Sequence, residues 1–242
     1  ALNVKSGGTL TFQSSASREI RVAVGGSYFG TVTIDGALTY QNSNGQFISW
    51  NGSTFTIGSG ATITLAGASA DNGGIRFTGT GTSVLTTNGK TIGPIEITGT
   101  GTLTQGDNVT LSAARAANTL LRLTSGNYTV PSGLTLTLGG ATANVPFNIA
   151  ASKTLSVLGT FNTNKTTAGV NSGTISIGAT GTYQHNMNGG AIPTCTWVSG
   201  STCEITGNTA TSPTGLGQTF SNFTWNSAAQ NTTTNLTGNL TT

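Results

Sequence analysis

Apolar residues alternate with threonine in short runs along most of the chain. Examples are Thr9-Leu-Thr-Phe12, Thr31-Val-Thr-Ile34, Thr54-Phe-Thr-Ile57, Thr62-Ile-Thr-Leu65 and Leu134-Thr-Leu-Thr-Leu138. Strict alternation is typical of a β-strand with one buried face, and β-branched threonine suits the other face. The stretch closest to a helical stripe, 112–123, predicts at most one turn of helix. We therefore predict an all-β chain with little or no helix.

Two neighbouring segments repeat each other with an offset of 20 residues. The aligned positions are Ile75 with Ile95, Arg76 with Glu96, Phe77 with Ile97, and the TGTGT of 78–82 with that of 98–102. Similarity at a period of about 20 to 50 residues is typical of stacked repeats. We interpret the two segments as adjacent coils of a β-solenoid.

The same kind of strand recurs along the whole chain. We place its first residue at Thr9, Thr31, Thr54, Ile75, Ile95, Leu120, Phe147, Thr174, Cys195 and Phe220. These positions predict a single domain over 1–242, a right-handed parallel β-helix of roughly ten uneven coils, about 50 Å long at the usual strand spacing. Segment 190–242 is predicted to be a distinct repeat that continues the stack.

The alignment makes two predictions about side chains. Arg76 and Glu96 should form a charge pair across neighbouring strands, on the same face. The alternating apolar residues should point inward with threonines outward. The predicted core positions are Ile75, Phe77, Ile95, Ile97, Leu134, Leu136, Leu138, Ile175 and Ile177. Glycines 79, 81, 99 and 101 are consistent either with corners of positive φ or with close backbone approach.

Charged residues are scarce, with nine Lys and Arg, six Asp and Glu, and a net charge of +3. The basic residues are spread along the chain, so we expect no binding to nucleic acid. No run of about 18 apolar residues exists, so we expect no membrane span. A polar, uncharged surface of Thr, Ser and Asn is common on secreted β-proteins, and we expect an extracellular or cell-surface location.

Acid and base groups are too dispersed to indicate an active site. The carboxylates are Glu19, Asp35, Asp71, Glu96, Asp107 and Glu204, at scattered phases of the repeat. Carbohydrate-active enzymes built on β-helices instead gather several carboxylates on one strand face. His185 is the sole imidazole, and no second pair of ligands accompanies the cysteines to form a metal site. We predict a non-enzyme without a cofactor.

The end of the chain resembles a known type of protein. The strings are GAIPTCTW at 190–197, GSTCEITG at 200–207 and PTGLGQTFSNFTWN at 213–226. They are similar to a segment of Gly/Thr/Asn-rich repeat regions in long secreted or cell-surface β-solenoid proteins of Bacteroidota. The resemblance implies an exported, repetitive architecture. That pattern has a small residue such as alanine at the position of Cys195, so the second thiol is a departure from it.

Cys195 and Cys203 are separated by TWVSGST, with Ser199-Gly200 as a turn. Flanking strands that face each other would bring the thiols within disulfide range. In an exported protein we expect a disulfide; free thiols or an intermolecular bond are the alternatives. A catalytic pair of Cys195 with His185 lacks an orienting partner.

Three classes of function remain, namely a structural or adhesive rod, a polysaccharide- or ice-binding module with Thr-rich faces, and a carbohydrate-active enzyme. The unequal coil lengths argue against an even threonine array, and we favour the rod. Both ends have strand patterns and no cap, which predicts end-to-end association with copies of the chain or with further chain. Cell-surface or environmental glycans are further expected partners. The predicted association residues are Thr9, Leu10, Thr11, Phe12, Leu236, Thr237 and Leu240.

Overall fold

The structure, a computed structural model, describes residues 1–12, 19–22, 30–40, 47–65, 74–113, 119–140 and 144–233. These residues form 26 short strands and no helix. In chain order the strands are β1 (Leu2–Val4), β2 (Thr9–Phe12), β3 (Glu19–Val22), β4 (Thr31–Ile34), β5 (Ala37–Tyr40), β6 (Phe47–Trp50), β7 (Thr54–Ile57), β8 (Thr62–Leu65), β9 (Gly74–Phe77), β10 (Thr82–Thr86), β11 (Thr91–Ile92), β12 (Ile95–Ile97), β13 (Thr102–Gln105), β14 (Val109–Leu111), β15 (Thr119–Leu123), β16 (Asn127–Val130), β17 (Thr135–Leu138), β18 (Val145–Ile149), β19 (Thr154–Val157), β20 (Thr160–Thr163), β21 (Val170–Asn171), β22 (Thr174–Ile177), β23 (Thr182–His185), β24 (Thr196–Trp197), β25 (Thr202–Ile205) and β26 (Asn222–Trp225).

The strands stack into the three sides of a parallel β-helix, which confirms the predicted fold class. Side 1 is one nine-stranded sheet, β1-β4-β7-β10-β13-β16-β19-β22-β24. Side 2 consists of the sheet β2-β5-β8 followed by the sheet β11-β14-β17-β20-β23-β25-β26, with β8 next to β11. Side 3 is the seven-stranded sheet β3-β6-β9-β12-β15-β18-β21. Side 2 thus has ten levels of strands, in agreement with roughly ten coils.

Coil 1 contains β1 to β3, and each following coil through coil 7 contains the next three strands. Coil 8 contains β22 and β23, coil 9 contains β24 and β25, and coil 10 contributes β26. Sides 1 and 2 continue in register across residue 190, since Ser176 pairs with Thr196 and Thr182 with Thr202. On side 3 of coils 8 and 9, the described residues have one isolated bridge, between Ala191 and Thr214.

The 20-residue alignment is confirmed in register. Ile95 pairs with Ile75, and Glu96 pairs with Arg76. The predicted strand starts, however, do not mark a single side of the helix. Thr31 lies on side 1, Thr9 on side 2 and Ile75 on side 3, because each coil has several similar Thr/Ile strands and the sequence pattern does not distinguish them.

The interior is filled by the inward side chains of all three sides. Eight of the nine predicted core residues are buried, among them Ile75 and Ile97. Leu134 is the exception, since it precedes β17 in a corner and is half-buried. Each coil therefore gains most of its apolar burial from the coils on either side of it.

In the second TGTGT segment, Gly99 and Gly101 pack against the backbone of the preceding coil. A Cβ on Gly99 would lie 2.2 Å from the Gly79 carbonyl oxygen, and one on Gly101 would lie 2.1 Å from that of Gly81. Real side chains do not tolerate such distances. Close approach, rather than a positive φ, therefore requires glycine at Gly99 and Gly101.

Candidate functional site

The predicted Arg76–Glu96 pair is present and forms part of a larger cluster on side 3. The Glu96 carboxylate accepts hydrogen bonds from Arg76 Nε at 3.0 Å and Arg76 Nη2 at 2.9 Å, and from Nη1 of Arg122 in the next coil. The Glu96 side chain is only 9% exposed. Sequence analysis missed Arg122 because it lies 26 residues from Glu96, outside the 20-residue repeat. The alternating pattern LLRL predicts a strand with Arg122 pointing outward, and in the structure Arg122 pairs with Glu96 in the same outward column.

Two other carboxylates hold neighbouring coils together. Asp107 accepts hydrogen bonds from the backbone N–H of Thr87, at 2.9 and 3.1 Å from its two oxygens, and from that of Asn88. Glu204 accepts one from Gln184 Nε2 at 2.9 Å and one from Asn226 Nδ2 at 3.3 Å. Both carboxylates therefore stabilise the contact between adjacent coils.

His185 is buried and hydrogen-bonded through both ring nitrogens. Its Nε2 lies 2.6 Å from the Gly189 carbonyl oxygen, so this nitrogen carries the proton and donates it. The Tyr183 hydroxyl, 3.1 Å from Nδ1, then donates to that nitrogen. Burial lowers the pKa of His185. The ring is a neutral structural group whose partners are a phenol and a carbonyl, rather than a thiol.

The predicted disulfide does not form in the structure, where Cys195 and Cys203 are both free thiols. A turn does occur at Gly200, whose φ is +94°, but it joins side 1 to side 2 and does not close a hairpin. Each strand pairs with the next coil, so β24 and β25 never face each other. Burial, together with the nearby Cys203, raises the pKa of Cys195, and burial raises that of Cys203 to about 12. Both sulfurs therefore stay protonated and weakly nucleophilic.

The predicted association residues at the start of the chain form β2, an outer strand of its sheet. Leu10 pairs with Leu38 and Thr11 with Thr39 of β5, and the Leu10 side chain packs partly buried against the core. β1 and β3 are likewise outer strands of sides 1 and 3. Residues 236, 237 and 240 lie outside the described part of the chain.

The outer face of side 1 carries two columns of small side chains in continuous register, all of them polar except Val84. Column a consists of Thr31, Thr54, Val84, Thr104, Thr129, Ser156, Ser176 and Thr196. Column b consists of Thr82, Thr102, Asn127, Thr154 and Thr174. We call both columns together the hydroxyl face. The expectation that unequal coils would disrupt such an array is wrong, because the corners absorb the extra residues.

A cavity of about 280 Å³ lies beside the end of the side 3 sheet at β21. Lys165, Phe147, Tyr183 and Ile192 contribute to its wall. Lys165 is 3% exposed, its Nζ donates to the Gly139 carbonyl oxygen, and burial lowers its pKa to about 8. The amphipathic lysine side chain thus places its ammonium group inside the protein at the boundary between two parts of the stack.

Comparison with protein-family models, with curated proteins and with solved structures gives no match. The resemblance of 190–226 to Bacteroidota surface proteins therefore stays an expectation. In the part of the chain that the structure describes, no three His, Cys, Asp or Glu residues are grouped so that they could hold a metal ion. The described residues also include no helix that is long and apolar enough to cross a membrane.

Proposed function

We propose that the protein is an extracellular structural or adhesive rod element, without catalytic activity or cofactor, whose stack is continued at coil 1 by strand pairing. The partner is a second copy or further chain of the same protein. The observation that carries this proposal is the arrangement of coil 1, in which β1, β2 and β3 each pair on one side only within the described residues. Parallel strands that lack a neighbour present N–H and C=O groups to any matching strand.

The shape of the coil supports an end-to-end contact. Coils 1 to 7 each have a strand on all three sides, so an added coil of that shape would pair with β1, β2 and β3 at once. Leu10 would gain burial from the side chains stacked on it. A contact between different ends of identical molecules produces an open filament when its rotation does not close a ring.

The polar groups support a structural role in the same way. Glu96, Asp107 and Glu204 all bind side chains or backbone of an adjacent coil, and His185 is hydrogen-bonded on both nitrogens. Groups used in this way stabilise the stack. The expected extracellular location, which the resemblance of 190–226 implies, and the expected contact with glycans belong to this proposal.

Sedimentation velocity over a concentration series, with negative-stain electron microscopy of the same samples, tests the proposal. We expect species heavier than 24.2 kDa and rods longer than one chain. Leu10→Lys places a charge at the edge of coil 1 and should shift the distribution to the monomer, while Leu10→Met should not. A single monomeric species at every concentration would contradict association between copies.

A further inference from the structure

We propose that the hydroxyl face of side 1 is an ice-binding surface. This inference goes beyond the structural role and does not depend on association between copies. The face is built from side chains that the stacked strands hold in rows, so its spacing is set by the backbone rather than by flexible loops. A crystal lattice is a ligand that such a repeating array can match.

The two columns form a regular grid. On β13, for example, column b contributes Thr102 and column a contributes Thr104, two residues further along. Five successive strands, β10, β13, β16, β19 and β22, have both columns. Strand geometry sets the grid at about 4.8 Å between strands and about 6.6 Å between columns. A regular grid of this kind can match positions that repeat in a crystal lattice, such as the oxygen positions of hexagonal ice.

The chemistry of the grid also fits ordered water. Each threonine presents one methyl and one hydroxyl group, and the hydroxyl groups of the two columns make no hydrogen bond to the described protein. Val84 interrupts column a with a side chain of the same shape as threonine, and it is 37% exposed. Asn127 Oδ1 accepts a hydrogen bond from the backbone N–H of Thr154 at 2.8 Å, which ties adjacent strands together within column b.

The outward columns of the other two sides include charged side chains or side chains that are hydrogen-bonded to one another. The outward column of side 3 runs through Arg21, Arg76, Glu96 and Arg122, and charged groups bind a liquid hydration shell. On side 2, the column through Asn162, Gln184 and Glu204 is linked by side-chain hydrogen bonds. The described outward residues of the side 1 strands include neither a charged nor an aromatic residue.

The absence of aromatic rings from these outward positions separates ice from insoluble polysaccharides. Flat sugar chains expose C–H faces, which aromatic side chains cover effectively because the rings bury large areas. A grid of methyl and hydroxyl groups gives a sugar face less contact, whereas it can anchor ordered water. Ice is therefore the favoured ligand, and binding to a polysaccharide is a competing outcome of the test.

The test measures thermal hysteresis and ice-crystal shape for the purified chain and two matched double variants. Thr104→Lys with Ser156→Lys places two charges on the hydroxyl face, on strands separated by β16. Thr160→Lys with Thr202→Lys places two charges in the same pattern on side 2, on strands separated by β23. We expect hysteresis and faceted crystals for the parent chain and the side 2 variant, and loss of both effects for the side 1 variant.

Circular dichroism and thermal unfolding verify that the variants are folded. If the side 1 double variant does not fold, Thr129→Leu on side 1 and Thr182→Leu on side 2 replace the pair. A parent chain without hysteresis, or equal loss in the two variants, would overturn the proposal. Retention on microcrystalline cellulose or chitin that disappears with the side 1 variant would overturn it as well, in favour of a polysaccharide ligand. The sedimentation experiment remains a separate test of the rod proposal.

Discussion

Coils 4 to 6 and coils 8 to 10 are built from the same strand pattern but close their interiors differently. Coils 4, 5 and 6 each have a strand on all three sides. The described residues of coils 8 and 9 have strands on two sides and an isolated bridge on the third. Side 3 shrinks from the five-residue strand β18 to the two-residue strand β21 before it ends. The difference shows that a solenoid can lose one wall while the other two stay in register.

The interior becomes richer in aromatic rings toward the end of the chain, beginning at Phe147 in coil 6. Aliphatic residues such as Ile97 and Leu103 fill the middle coils with no exposure. Toward the end of the chain, aromatic rings form a continuous series. Neighbouring ring centroids lie 6.5 Å apart for Tyr183 and Trp197, 4.9 Å for Trp197 and Phe220, 5.4 Å for Phe220 and Phe223, and 6.3 Å for Phe223 and Trp225. Large rings can span an interior with two walls, but Phe223 and Trp225 remain half-buried.

The largest effect that separates the two regions should come from a buried charge. Ile97→Asp places a carboxylate in the closed interior and should remove more than about 4 kcal/mol from the free energy of unfolding. Phe223→Asp makes the same change in the open region and should remove about 2 kcal/mol, because water reaches the new charge. Urea unfolding of the two variants and the parent measures the difference. Equal losses would mean that coils 8 to 10 are closed as tightly as coils 4 to 6.

The second largest effect concerns the carboxylates on the outside of the two regions. Glu96→Ala leaves Arg76 and Arg122 in one column without their shared anion and should lower the free energy of unfolding by about 2 kcal/mol. Glu204→Ala removes hydrogen bonds to the neutral amides of Gln184 and Asn226 and should cost about 0.5 kcal/mol. Added salt should reduce the loss for Glu96→Ala, since it screens the repulsion between the arginines. A smaller loss for Glu96→Ala than for Glu204→Ala would contradict this ranking.

The same contrast determines how much of the fold could be predicted from the sequence. In the middle coils, the exact 20-residue repeat fixed the register of Ile75 on Ile95 and hence the Arg76–Glu96 pair. Near the end, the predicted strand start Phe220 precedes β26, and the turn at Ser199-Gly200 does not bring its flanking strands face to face. Alternation identifies which residues point inward; it does not reveal which side of a coil a strand occupies.

The sequence predicted the candidate surface and the buried polar residues only in part. The outward threonines were evident from alternation, but their columns were not, because unequal coils disguise the spacing of, for instance, Thr104 and Thr129. The burial of His185 and Lys165 depends on contacts with residues at corners of the coils, such as Gly189 and Gly139. No local sequence pattern distinguishes these corners from exposed loops.

A third effect should appear at the boundary between the two regions. Below about pH 8, Lys165 is charged in both the folded and the unfolded chain, and its burial costs stability. Lys165→Met should therefore raise the free energy of unfolding by about 1 kcal/mol at neutral pH. The folded chain loses this proton at about pH 8, before the unfolded chain does, so the gain should shrink as the pH rises from 8 to 10.5. Lys153→Met, at a half-buried lysine, serves as the control, and a gain independent of pH would contradict the assignment to the buried ammonium.

The smallest effect is the pH dependence of the free energy of unfolding that arises from the buried His185 in the open region. Because burial lowers the pKa of His185 in the folded chain, the unfolded chain binds more protons below its own pKa of about 6.5. Stability is then fully present above that pH and is lost as the pH falls, with a slope of at most about 1.4 kcal/mol per pH unit. His185→Gln keeps a hydrogen-bonding side chain beside Gly189 but removes the titration. Urea unfolding between about pH 7 and pH 5, above the range where most carboxylates titrate, should show a declining free energy for the parent and a nearly constant one for the variant. An equal decline in the free energy of unfolding of both proteins would mean that another group causes the loss of stability at low pH. It would contradict the assignment to a buried imidazole.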